Sequence, residues 1–135
     1  MTQSNQQHGE EAVIRPATAE DGARIISLFS EGIREGTVAA DESIEDLEHL
    51  EDTYLASQAG GAFWVAEQAG EVVGMVGVQA SDPHTAQIRR LRVSEEFRRR
   101  GIGSRLLQHA VDYCRTHGHL KVSLDVLIDR KPAIE

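Results

Sequence analysis

The segment Arg98-Arg99-Arg100-Gly101-Ile102-Gly103 lies between a strand-like run, Ile88 to Val93, and a helix-like run that starts at Ser104. A chain passing from strand to helix through two glycines turns sharply there. Glycines at 101 and 103 also remove the side chains that would hold a ligand off the backbone. Consecutive N–H groups can then point outward, the following helix adds the positive end of its dipole, and the arginines add charge. The result is a turn suited to phosphate. Two other phosphate loops do not fit: a P-loop needs Gly-x-x-x-x-Gly-Lys-Ser/Thr, and a dinucleotide-binding turn needs a third glycine where Leu106 stands.

Charge supports a compact anionic ligand. The chain of 135 residues carries a net charge of −8, yet seven of its 14 basic residues fall between Arg89 and Arg105. A basic stripe in an acidic chain fits a small anion better than nucleic acid, whose binders are more often basic over a whole face and interleave aromatics for stacking. The acids from Asp41 to Asp52 fit attraction of a cationic amine or, the commoner origin of such a run, a solvated helix face. One cysteine, Cys114, excludes an internal disulfide and a cysteine-based zinc site, and the six histidines show no metal-ligand spacing, so no metal is expected. No stretch approaches the length of a membrane span, and Met1 to Glu11 lacks the basic and apolar regions of a signal peptide, so the chain is read as cytoplasmic, with no membrane partner.

The length fits one domain. Residues 1–11 read as a disordered tail. Val13 and Ile14 begin a strand that Pro16 ends, and Thr18, with Asp21 three residues on, caps a helix over 19–34 that Gly36 breaks. Ser43 caps a second helix with Ile44, Leu47, Leu50, Tyr54 and Leu55 on one side, stopped by Gly60-Gly61. A hairpin follows over 63–78 with its turn at Gln68-Ala69-Gly70, then a turn at Ser81-Asp82-Pro83. In the next strand Ile88 is out of phase with Leu91 and Val93, and one extra residue near Arg89-Arg90 restores the period of two, which predicts a β-bulge. Ile102, Leu106, Leu107, Ala110, Val111 and Cys114 mark a third helix that Gly118 stops, and the alternation from Lys121 to Ile128 reads as a buried strand. Asp129 and Pro132 then open a helix that has no room before Glu135.

These pieces, in this order, resemble the GNAT superfamily of acyl-CoA-dependent N-acetyltransferases. Arg98-x-x-Gly101-x-Gly103 is similar to that family's pyrophosphate turn, and Leu91-Arg92-Val93 followed by Ser94-Glu95-Glu96-Phe97 reproduces the strand end and connection before it. Ile14-Arg15-Pro16-Ala17-Thr18-x-x-Asp21 resembles the family's first strand and helix, and Phe63 to Val78 its central hairpin. The resemblance covers about residues 12 to 135. It implies an α+β fold with a mixed, mostly antiparallel sheet, helices on both faces, and parallel fourth and fifth strands splayed to admit the cofactor. It also implies a C-terminally truncated domain, since the family continues with a helix, whose opening Ala133-Ile134-Glu135 match, and two more strands. The uncovered last strand would then need the missing elements or a second copy, a possible homodimer.

The implied function is N-acetyl transfer from acetyl-CoA to a small-molecule or peptide amine by direct attack on the thioester, with a non-catalytic or degenerate acyl-CoA-binding domain as the alternative. The implied cofactor contacts are backbone N–H groups of Leu91 and Val93, flanking Arg92, for pantetheine and the thioester carbonyl. Those from about Arg99 to Ser104, in the turn Arg98, Arg99, Arg100, Gly101, Ile102, Gly103 and Ser104, are implied for pyrophosphate. Many family members carry a base six residues before the Val93 position, where this chain has Gln87. A subset places a carboxylate in the fifth strand, and Leu124-Asp125-Val126 resembles it, which makes Asp125 the candidate base. Glu67 is a weaker candidate. The family's general acid is a tyrosine that would fall two residues past Glu135, and neither Tyr54 nor Tyr113 matches it.

Overall fold

Alternation of side chains across strands 61–68 and 71–82 sets the architecture, because both faces of this hairpin are apolar and each must be covered. The computed structural model describes residues 12–36, 42–56, 61–82, 84–119 and 121–125. The readings of 1–11 as a tail, of Gly60 as a helix stop and of a helix opening near Pro132 lie outside them. The described chain forms β1 (Val13–Pro16), a 3-10 turn at Ala19–Asp21, α1 (Gly22–Glu35), α2 (Glu45–Glu48), β2 (Gly61–Gln68), β3 (Glu71–Asp82), β4 (Thr85–Val93), α3 (Ile102–Thr116) and β5 (Lys121–Asp125). The five strands lie in sequence order in one sheet, antiparallel except for the parallel pair β4 and β5.

One face carries Trp64, Ala66, Val73, Val76, Val78, Ala86 and Ile88 against Ile102, Leu106, Ala110 and Cys114 of α3. The other carries Phe63, Val65, Val72 and Met75 against Ile25, Leu28 and Phe29 of α1 and against Leu47, Leu50 and Tyr54. The expected α+β sheet with helices on both faces is therefore present. Ala69 and Gly70 both take positive φ, 53° and 82°, the two-residue hairpin turn whose twist matches that of the strands it joins. Pro16 closes β1 from within, as its last residue, which an edge strand tolerates.

Three expectations need correction. The second helix is not continuous: α2 has four residues, and the wide π-type turn Glu51–Leu55 follows, closed by Ala56 N–H on Glu51 O at 2.8 Å. The π-type register accompanies a buried Tyr54 whose hydroxyl reaches back to Asp46 at 2.7 Å, beside Phe63 at a ring separation of 4.9 Å. The third helix starts at Ile102, two residues before Ser104, because Gly101, at φ 82°, takes the N-cap position; Gly118, at φ 81°, follows its end. Finally, the start of β5 is exposed, with Val122 at 42%, against the expected buried strand, whose residues 126–128 lie outside the described ones.

Candidate functional site

The turn before α3 has the backbone its glycines predict. Arg99 and Gly101 sit at φ 66° and 82°, and this left-handed pairing around Arg100 gathers successive N–H groups into a concave nest. Among the described residues, the N–H groups of Arg99 to Ser104 make no hydrogen bond; the first to do so is Arg105, on Gly101 O at 3.1 Å. The unbonded donors thus lie at the positive end of a 15-residue helix. A Cβ placed on Gly101 would meet nothing within 4 Å and so faces open space, while one on Gly103 would make an ordinary contact with Val93 Cγ2 at 3.7 Å. A groove of about 510 Å³ between β1 and α3 lies to the side and meets the turn's flank only at Arg105.

The arginine stripe is largely neutralised in the fold, which sequence reading did not show. Arg92 and Arg98 both reach Glu35 of α1 at 2.8 Å, and Arg98 Nε also donates to Val93 O at 2.9 Å. Burial pushes the Glu35 carboxyl up, but the hydrogen bonds from Arg98 and Arg92 outweigh it and hold it below its usual range. Arg98 therefore braces the connection between β4 and α3. Arg100 lies over the Phe97 ring at 5.0 Å. The side chains of Arg99 and Arg105 have no partner among the described residues, so they remain available to an anion at the turn.

The predicted bulge is present in β4. Gly77 pairs with Arg89 and Met75 with Arg92, so Arg90 and Leu91 together face Val76. The extra residue returns Ile88, Leu91 and Val93 to the face covered by α3. Arg90 takes the left-handed conformation usual for glycine in such a bulge, φ 62°, at a cost on the order of 1 kcal/mol. Its side chain, 5% exposed, meets Asp46 Oδ1 at 2.6 Å, Asp46 Oδ2 at 3.0 Å, Glu42 at 2.9 Å and Ser43 O at 2.8 Å, and covers the Phe29 ring. Asp46 is thus no part of a solvated acidic face, contrary to expectation. Burial pushes its carboxyl up, yet hydrogen bonds from Arg90 and Tyr54 hold it below the usual range. Burial and the same bond to Asp46 raise the Tyr54 hydroxyl far above its ordinary value.

β5 pairs with β4 from Lys121 opposite Thr85 to Asp125 opposite Arg89. The described pairing thus reaches the residue before the bulge at Arg90 and Leu91. Asp125 occupies the last described position of β5, one register step before the bulge. Gln87 lies inside the sheet between Gln79 and Ser123. Glu67 is tied to Arg15 at 2.7 Å, which leaves it poorly placed as a base. Tyr113 donates to Gly61 O at 3.2 Å, and Cys114 is fully buried, as expected of a core residue. Among the described residues no group of three His, Cys, Asp or Glu side chains is placed to hold a metal ion, and no helix is long and apolar enough to cross a membrane.

The model of the Acetyltransferase (GNAT) family matches residues 25–135, which span the bulge, the turn and β5. The chain belongs to the GNAT family. Human N-acetyltransferase 8 is 38% identical over 85 residues, 59% of this chain and 37% of that protein, so the chain spans little more than a third of this relative's length. Among GNAT folds of known structure, an acetyltransferase of Staphylococcus aureus Mu50 aligns with a TM-score of 0.76 at 22% identity, over 91% of this chain and 77% of that one. N-acetylglutamate synthase from Neisseria gonorrhoeae, in complex with coenzyme A and N-acetyl-glutamate, aligns with a TM-score of 0.63 at 26% identity, over 80% of this chain and 23% of that one. The bulged strand and the glycine turn thus sit in a GNAT fold.

Proposed function

We propose that this chain transfers an acetyl group from acetyl-CoA to a primary amine of a small molecule or peptide. The observation that carries this reading is the run of unbonded N–H groups from Arg99 to Ser104 at the start of α3, beside a strand bulged at Arg90 and Leu91. Phosphate oxygens satisfy such donors without further side chains. Acetyl-CoA supplies the activated acyl group as a thioester. The turn binds the pyrophosphate through backbone and Arg99. The N–H groups of Leu91 and Val93 line the pantetheine and polarise the thioester carbonyl. Asp125 takes the proton that the amine must lose as its nitrogen attacks. The thiolate's proton comes from neither described tyrosine, since Tyr54 donates to Asp46 and Tyr113 to Gly61 O. The complex of the gonococcal synthase with N-acetyl-glutamate supports a small amine as acceptor.

Gln87 supports a second reading, an acyl-CoA-binding domain without catalysis, because it stands where many relatives carry the base and cannot accept a proton at neutral pH. Calorimetric titration with coenzyme A and with a short oligonucleotide tests the shared part: coenzyme A is expected to bind and the oligonucleotide is not. Thiol release across a panel of amines separates the two readings. Asp125→Asn is expected to lower kcat by roughly 10²-fold while acetyl-CoA still binds. An unchanged rate would remove Asp125 from the mechanism.

A further inference from the structure

The bulge in β4 depends on an arginine in a conformation that suits glycine, and that arginine is the most heavily bonded side chain near the site. We propose that Arg90, clamped by Asp46 and Glu42, is a positioning residue that fixes the β4 bulge and so aims the adjoining backbone N–H of Leu91 at the acyl carbonyl. The proposal rests on the acetyl-CoA reading above, which supplies the carbonyl. Four hydrogen bonds from one guanidinium, to Asp46, Glu42 and Ser43 O, anchor the left-handed residue from the α1 side of the sheet. Tyr54 holds the second oxygen of Asp46, and Arg89, 3.7 Å from that oxygen, reinforces the anion. The clamp closes on the α1 side of the sheet, while Leu91 packs on the α3 side. Its effect on a ligand therefore runs through the backbone of 90–91 and not through contact.

Loss of the clamp frees Arg90 to return to an extended conformation, which removes the extra residue from the bulge and turns the Leu91 N–H. A glycine at 90 has no such preference and keeps the bulge without a clamp. The test uses calorimetry with coenzyme A and acetyl-CoA in parallel, since the two share the phosphates and differ in the carbonyl. Asp46→Asn is expected to leave coenzyme A affinity unchanged and to weaken acetyl-CoA about three- to tenfold, the range of one hydrogen bond. In that background Arg90→Gly is expected to recover the acetyl-CoA preference, whereas Arg90→Ala, which leaves a similar void, is not. Equal behaviour of the Gly and Ala double variants would overturn the proposal, as would an unchanged preference in Asp46→Asn. Amide exchange at Leu91, read by NMR on the free proteins, gives a second measure: a rate changed from wild type in Asp46→Asn and in the Ala double variant, and restored with Gly. Absence of coenzyme A binding by the wild type would refute the acetyl-CoA reading, and the exchange pattern would still decide whether Arg90 holds the bulge.

Discussion

Gly101 tests the proposed phosphate role of the turn most directly, because the structure separates two costs that usually come together. At φ 82° any residue with a Cβ is strained, yet a Cβ there meets nothing within 4 Å. The cost of Gly101→Val is therefore conformational, with no steric part: about 1–2 kcal/mol for an L-residue in the left-handed region, rising to about 3 kcal/mol for a β-branched one. That strain can appear in two places. If the turn holds its shape, the protein loses the full amount in stability, roughly 4 °C in Tm per kcal/mol for a chain of this size. If the turn relaxes, stability is spared, but binding must first restore the nest, and coenzyme A affinity falls by the corresponding factor, about 5- to 150-fold for 1–3 kcal/mol. Thermal melts and calorimetry on Gly101→Asn, →Ala and →Val measure both, and the two losses together are expected to approach the strain. Asn, which tolerates the left-handed region, should cost least and Val most. A Val variant with unchanged Tm and unchanged affinity would refute the reasoning, and so would Asn behaving like Val.

Gly77→Ala is expected to destabilise the fold by about 1–3 kcal/mol, since its Cβ would lie 2.8 Å from Phe63 Cδ2 with Tyr54 packed behind; a chemical denaturation midpoint equal to wild type would contradict that packing. Acid should unfold the protein through Asp21, held below its usual range first by its bonds from Arg15, and through Glu35 and Asp46. These folded-state values are depressed, so their stabilisation is fully present above the unfolded carboxyl range of about 3.9–4.3 and is lost as pH falls through the lower folded values. Melts between pH 6 and 2 check this, and Asp46→Asn should flatten that limb. Cys114, fully buried and with its thiol pushed up by that burial, should resist a disulfide reagent in the native state and react on unfolding; rapid native labelling would place it elsewhere.

Much of this site is local in sequence, and so it was legible there. The positive φ at Ala69, Gly70, Gly101 and Gly118 belongs to residues whose type or setting announces a turn, and the slip of phase between Ile88 and Leu91 announces the bulge. The strand-to-helix spacing from Leu91 to Gly103 likewise marked the turn with unbonded N–H groups, because such groups need only glycines and a helix start to be freed. The fate of the charges was not legible. Arg92 and Arg98 meet Glu35 from 57 and 63 residues away, and Arg90 meets Asp46 from 44 away, so a stripe that reads as a cationic patch is mostly braced from α1 and the α2 segment. The break of the second helix into α2 and a π-type turn has the same origin, for it accompanies the burial of Tyr54 between Asp46 and Phe63. Dihedral preference and period are written within a few residues of one another, whereas the partner of a buried charge is set only when helices dock on the sheet and remove water from it.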